Sequence, residues 1–320
     1  MIKPDEASPA YQEILRIDNG KYNAFGITVE SKDIISMIFR AGTSHVGDRG
    51  VVQIISSKDK GATWSAPRTI FSDQYDDRNI AGGTTKTGRI IIFFARNEFN
   101  PVDFVDYGYM FSDDGGVTWS KFHSIKTPGY IAFSPYGQMI QLPDGSLVQT
   151  WYGRKGNTFY SHLIKSKNNG RTWSAPVTIL SSEAHHYTET SLAYYDGKLI
   201  GLARNDNGMF FTQVVSNDYG ATWKNEGLVA VDTTTGTKNP PCLTICQGRL
   251  ACLYAQRDIN RVRVMYYDGT SWGKRKDLTR LTAGGYPSII YPFSDNRGLG
   301  WFYDQITRSN ANIVIFQIKL

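Results

Sequence analysis

The sequence has little cysteine, no long apolar run and no run of basic residues, and each lack excludes something. Only three cysteines occur in 320 residues, and Cys242, Cys246 and Cys252 fall within eleven positions. The count is odd, no CxxC pair exists and no histidine flanks them at ligand spacing. That argues against a disulfide framework and against zinc. Buried thiols in a strand pair are the expected role, which points to a reducing compartment or to indifference about redox state. No apolar stretch approaches the roughly 20 residues that a membrane-spanning helix needs. The opening, MIKPDEASPAYQ, lacks the apolar segment of a secretory signal, so either export by that route is not expected or a leader has been removed. Lysine and arginine outnumber the acids, 35 against 29, for a net charge of +6. They form no run and no nucleic-acid motif, so nucleic-acid binding is not expected. No metal or cofactor is expected either.

Glycine, aromatics and β-branched residues are abundant, with 31 Gly, 19 Tyr and 16 Phe. Such a composition favours strands and turns. One phrase repeats: SSKDKGATW at 56–64, FSDDGGVTW at 111–119, KSKNNGRTW at 165–173 and VSNDYGATW at 215–223. The steps between Asp59, Asp114, Asn168 and Asp218 are 55, 54 and 50 residues. A worn copy, YYDGTSW, keeps Asp268 and Trp272 a further 50 residues on. That step suits one four-stranded propeller blade rather than a helical solenoid. Each box reads as a tight turn between a blade's third and fourth strands. Asp or Asn accepts backbone N–H bonds, Gly takes a positive φ, and Trp packs between blades. The boxes are therefore expected to build the fold, not to carry chemistry. The expectation is an all-β, six-bladed propeller forming one domain over 1–320. NIVIFQIKL at its end pairs with YQEILRI near its start, which closes the ring and removes exposed edges.

In such a blade, the ends of second strands and the starts of first strands share the face opposite the boxes. Five second strands run out at an arginine: Arg40, Arg96, Arg154, Arg204 and Arg257. The sixth ends in Asp304 and Gln305. Guanidinium groups are planar, permanently charged and matched to carboxylates. Their convergence on one mouth predicts an anionic ligand. First-strand starts add Glu189, Tyr286, Asp77 and Arg78, and the loop AGTSHVGDRG adds His45 and Asp48. Carboxylates, a tyrosine and arginines on one face make an acid–base set.

Over nearly its whole length the chain resembles the sialidase (neuraminidase) superfamily of six-bladed propellers. The boxes look like that superfamily's Asp boxes. TETSLAYYDGKLIGLARN is similar to the stretch holding the catalytic Glu and the second arginine of the carboxylate-binding triad. The resemblance assigns those roles to Glu189 and Arg204. YAQRDINRVRV resembles the segment with the third arginine, Arg257, with Arg261 the alternate. GYPSIIYPFSDNRGLGWFYD resembles the final segment and gives Tyr286 the nucleophile's role. Asp48 lies where the family's general acid comes from. One departure stands out. The Arg-Ile-Pro-like motif with the first arginine is replaced by KYNAFGITV, leaving Lys21, Arg40 or Arg78 to compensate. Phage endosialidases resemble the chain in lacking that arginine, and they use an active-site histidine, a place His45 can fill. The missing export signal is compatible with a phage tail protein or a cytoplasmic one. A homo-oligomer is expected only as part of a tail spike.

The resemblance implies a hydrolase of α-linked sialic acid or a related acidic sugar polymer. A carboxylate beside the anomeric carbon repels an anionic nucleophile, so a neutral Tyr activated by Glu fits the substrate better than the usual two-carboxylate scheme. Two alternatives stand beside it. One is a glycan-binding propeller without catalysis, suggested by the missing arginine. The other is an acidic-polysaccharide lyase, in which His45, His185 or His186 acts with a tyrosine.

Overall fold

The computed structural model describes residues 10–206, 210–230, 240–246, 248–290 and 297–319. Every named element among them is a strand. An outer strand, β1 (Ala10–Ile17), comes first. Antiparallel meanders follow. The first holds β2 (Tyr22–Ser31), β3 (Ile34–Gly42), β4 (Val51–Ser57) and β5 (Arg68–Phe71). The second holds β6 (Asp76–Thr84), β7 (Ile90–Phe99), β8 (Val102–Ser112) and β9 (His123–Ile125). The third holds β10 (Ile131–Gln141), β11 (Leu147–Lys155), β12 (Thr158–Ser166) and β13 (Val177–Ser182). The fourth holds β14 (Tyr187–Tyr195), β15 (Lys198–Asn205), β16 (Phe210–Ser216) and β17 (Lys224–Ala230). The fifth holds β18 (Cys242–Cys246), β19 (Arg249–Gln256), β20 (Arg261–Tyr266) and β21 (Lys276–Arg280). The last is β22 (Gly284–Ile290), β23 (Arg297–Gln305) and β24 (Ala311–Lys319), and β1 adds to it as the antiparallel partner of β24.

Two pairs of meanders merge into eight-stranded sheets, each through a single parallel pair, Tyr22 with Ala311 and Gln138 with Gly82. First strands pack on one another in sequence, and β22 packs back on β2. Apolar clusters sit at each boundary between successive meanders. The cluster of Tyr22, Phe39, Trp301 and Ile313 joins the sixth to the first. Second strands are covered on both sides, so β15 and β19 are buried along almost their whole length. This explains their near-continuous apolar sequence.

The boxes lie between third and fourth strands. In the first, the Ser57 hydroxyl accepts the Gly61 N–H at 2.7 Å and donates to Asp59 at 2.8 Å. Asp59 takes the Thr63 N–H at 2.8 Å, and Trp64 Nε1 donates to the Gly61 carbonyl at 3.0 Å. Gly61 sits at φ 87°, a conformation costly for any residue with a Cβ. The Thr63 hydroxyl and N–H, with Ser57, hold the Asp59 carboxyl down at about 2. The turns also latch neighbours: Arg68 donates to the Gly116 carbonyl at 2.6 Å, and Arg89 to that of Asn169 at 3.2 Å. The Ser, Asp, Gly, Thr and Trp groups of the first box are thus used in holding the turn.

Candidate active site

The first strands are interrupted near their starts. Pairing register breaks between Ala24 and Ile27, Arg78 and Ala81, Ile131 and Ser134, Tyr187 and Thr190, and Gly285 and Ser288. Within these bulges Phe25, Asn79, Ala132 and Tyr286 take φ between 52° and 58°, a region that disfavours side chains. A bulge re-aims the residues it carries. Here Phe25, Asn79, Ala132, Glu189 and Tyr286 all line one cleft. His45, Val46, Arg78, Asn97, Val102, Phe104, Tyr152, Phe159, Arg204 and Asp206 complete much of its wall. An apolar channel continues beneath, sharing Glu189 and Tyr286 and running past Pro135, Pro241 and Trp301.

At the centre, the Tyr286 hydroxyl donates to Glu189 Oε1 in a short hydrogen bond, and Arg204 Nη1 donates to Glu189 Oε2 in another. The two carboxylate oxygens are thus divided between a phenol and a guanidinium, and Glu189 is only 4% exposed. Arg204 Nε lies 2.6 Å from Asp206. Burial, then the charge of Glu189, pushes the Tyr286 phenol well above its ordinary range, against Arg204 and Arg257. The phenol is therefore neutral at neutral pH, with its proton already directed at Glu189.

Two further arginines adjoin this pair. Arg257 Nε donates to the Gly284 carbonyl at 2.7 Å, and its guanidinium carbon lies 5.6 Å from the Tyr286 ring centre. Arg78 lies over Phe25, 8% exposed, with its nearest carboxylate, Asp76, at 3.5 Å. Burial and the neighbouring Arg40 lower its pKa, against Asp76. Arg78 is thus a buried cation whose one recorded ion pair among the described residues is loose, and it lines the cleft.

His45 faces the cleft with Nδ1 2.6 Å from the Tyr22 hydroxyl. Burial, followed by Arg78, Arg40 and Arg257, lowers its pKa to about 4. Asp48 is held differently. Arg40 Nη2 reaches it at 2.5 Å, and the Thr43 N–H and hydroxyl bind its other oxygen. Burial raises its pKa, but the Thr43 N–H and Arg40 outweigh that and leave it below the usual range.

The five arginines at second-strand ends do not converge. Arg40 is fully buried, its donors spent on Asp76 at 2.6 Å, Asp48 and the Ser44 carbonyl. Arg96 is held by Asp106 and Asp73 at 2.7 and 2.9 Å. Arg154 donates to the Gly156 carbonyl at 3.1 Å. Local partners thus take up these three, and none of them lines the cleft. Asp304 pairs with Arg16 at 3.1 Å. Arg261 turns to Asp277 and to the Ile259 and Asn260 carbonyls, and Lys21 is exposed. His185 is exposed and bonds Asn205 at 3.1 Å, while His186 stacks on Phe159. The structure therefore groups Glu189, Tyr286, Arg204, Arg257, Arg78 and His45, and leaves Arg40, Arg96, Arg154 and Asp48 outside. Phe25 and Asn79 were not singled out from sequence. A signal existed for Phe25, which precedes Arg40 by the same 15 residues that separate Glu189 from Arg204.

The sheets and cleft define an all-β repeat protein with a pocket lined by paired arginines and carboxylates where its first strands begin. The family model described as BNR repeat-like domain matches residues 52–293. A sialidase of Paraclostridium sordellii is 27% identical over 198 residues, covering 52% of this chain and 48% of that protein. The chain spans about half the length of the curated relatives it matches. Among solved structures, a Dyadobacter fermentans protein of unknown function superposes with a TM-score of 0.81 at 18% identity, covering 97% of this chain and 99% of that one. A Trypanosoma rangeli sialidase in complex with 2,3-difluoro-KDN gives 0.77 at 16% identity, covering 96% and 58%. The chain belongs to the BNR repeat-like domain family, within the sialidase superfamily.

Proposed function

We propose that the meanders are the six blades of a propeller and that the cleft binds and hydrolyses an α-linked sialic acid or a related acidic sugar. The carrying observation is the Glu189 carboxylate, shared between the Tyr286 hydroxyl and Arg204. A base within hydrogen-bond reach of a phenol, itself oriented by a third group, is the arrangement of an activated nucleophile. In this reading Arg78, Arg204 and Arg257 receive the sugar carboxylate. Glu189 takes the phenolic proton as Tyr286 Oη bonds to the anomeric carbon and the leaving oxygen departs with the bond's electrons. Water then displaces Tyr286, which recovers its proton from Glu189, and the proton given up by the water neutralises the departed oxygen through solvent. Burial keeps the phenol neutral until attack, so it is not repelled by the substrate's own carboxylate.

The test compares the wild type with Tyr286→Phe and Glu189→Gln on a fluorogenic sialoside and on polysialic acid. Each variant is expected to lose about three orders of magnitude in kcat, and the double variant no more than the worse single one, as for groups acting as a unit. A folded wild type that releases no product from either substrate overturns the hydrolase reading. A second reading, glycan binding without turnover, draws on the engagement of Asp48 by Arg40 and Thr43. It predicts retention on a glycan array with no product.

A further inference from the structure

His45 is built into the wall more elaborately than a loop residue needs. Its backbone N–H donates to the Arg308 carbonyl at 3.3 Å, tying the loop to the turn after β23. Its ring meets Tyr22 and Phe25 edge-on, at 85° and 82°. The fully buried Tyr22 donates its hydroxyl proton to Gln305 Oε1 at 2.8 Å. Gln305 is fixed in turn by its N–H on the Ala283 carbonyl at 3.0 Å. A phenol has one proton. If Tyr22 places that proton on Gln305 rather than on His45 or the neighbouring Tyr303, the 2.6 Å contact takes a proton on Nδ1 and leaves Nε2 bare. The partner of one ring nitrogen sets the state of the other. No described residue hydrogen-bonds Nε2.

Resting on the acidic-sugar reading, we propose that Tyr22 and Gln305 are positioning residues for His45. They hold it in the Nδ1–H tautomer, so that Nε2 accepts a hydrogen bond from one free hydroxyl of the bound sugar and discriminates against acylation there. The cleft suits such a group. Its cations Arg78 and Arg204 can only donate, and Glu189 is already shared between Arg204 and Tyr286. A sugar hydroxyl that accepts from a guanidinium still has its own proton to place. Acylation removes that proton and adds bulk against the ring.

Long-range proton–nitrogen correlation spectra of the free wild type read the tautomer directly. The expected result is a protonated Nδ1 and a bare Nε2, with the preference lost in Tyr22→Phe. Affinity and kcat/KM are then measured on a panel of singly O-acetylated sialosides and the unmodified parent. One acetylated isomer is expected to fall at least tenfold below the parent, as at sites that bond a substrate hydroxyl. That ratio should collapse toward one in His45→Ala and shrink in Tyr22→Phe and Gln305→Leu. His45→Gln retains a polar group of similar reach and should keep part of it. An Nε2–H tautomer in the wild type, or full discrimination in a folded His45→Ala, overturns the role and leaves the sugar reading intact. A wild type that neither binds nor turns over any member of the panel overturns both.

Discussion

Arg78 lies over Phe25, with its guanidinium carbon 5.1 Å from the ring centre. Phe25 belongs to the stretch that stands in place of the Arg-Ile-Pro-like motif, and the cation over it comes from β6 of the next meander. In the proposed site, Arg78 supplies from the neighbouring strand the charge that β2 lacks. Arg78→Ala is expected to weaken a sialic-acid-type inhibitor by about 30-fold, roughly 2 kcal/mol for a charge-assisted contact. Titration calorimetry reads the loss. Melting should stay level or rise, because a desolvated cation held by one carboxylate at 3.5 Å is removed, and Asp76 retains Arg40 at 2.6 Å. Unchanged inhibitor affinity removes Arg78 from the clamp.

The same pair shows what the sequence made legible. Box spacing gives the strand count and turn register because each box is a local device, closed by hydrogen bonds within nine residues. Glu189, Arg204, Arg257 and Tyr286 stand out because their segments have a family pattern. Which arginine faces the cleft is decided by contacts distant in sequence. Arg40 looks like Arg204 along the chain, but Asp76, 36 residues later, takes its Nε and buries it. The first-strand bulges are equally hidden. Gly284 and Gly285 announce a backbone that departs from extended geometry, whereas Phe25, Asn79 and Ala132 adopt positive φ as residues that carry a Cβ.

Asp77 gives a prediction about pH. It is fully buried, neither carboxylate oxygen meets a close hydrogen-bond partner among the described residues, and burial with Asp73 and Asp76, against Arg96 and the Asp73 backbone, pushes its pKa up to about 8. An unfolded aspartate titrates near 4. Between those values the folded state holds a proton that the unfolded state has released, so this group's contribution falls as pH rises and is lost above about 8. Asp77→Asn should therefore stabilise the protein more at pH 9 than at pH 5, by about 2 kcal/mol at the upper end. His45 and His162, both lowered to about 4, give the opposite slope at acid pH but cancel in the comparison with wild type. Denaturant titrations at the two pH values decide it, and a pH-independent difference counts against a protonated Asp77.

The boxes carry a prediction of stability without catalysis, and the chain contains its own control. Asn168 fills the Asp position of the third box. It accepts the Thr172 N–H at 2.9 Å and donates through Nδ2 to the Thr172 hydroxyl at 2.8 Å. Asp114→Asn can adopt the same pattern, whereas Asp114→Ala strands the Thr118 N–H, the Thr118 hydroxyl and Ser112. The alanine variant should melt several degrees lower and the asparagine variant close to wild type. Neither should change kcat or KM, because the box and the cleft share no residue. A kinetic effect of Asp114→Asn on a folded protein would place the boxes in the chemistry after all.

The setting of Asp48 bears on how the leaving oxygen is protonated in the proposed hydrolysis. In a sialidase-like reaction a loop acid gives that proton, and general acid catalysis needs a carboxyl that is protonated and free to reach the oxygen. Here Arg40 and the Thr43 N–H hold both Asp48 oxygens and keep it ionised, while Glu189 and Asp206, the carboxylates lining the described cleft, are each paired with Arg204. Turnover should therefore depend steeply on the leaving group. Aryl sialosides should be cleaved in the order of their phenols' acidity, and alkyl sialosides slowly. Asp48→Asn should lower the melting temperature, because Arg40 loses one of its two carboxylates in a fully buried site. It should leave the slope of log kcat against leaving-group pKa unchanged. A shallow slope in the wild type that steepens in Asp48→Asn would identify Asp48 as a working acid that leaves Arg40 when substrate binds.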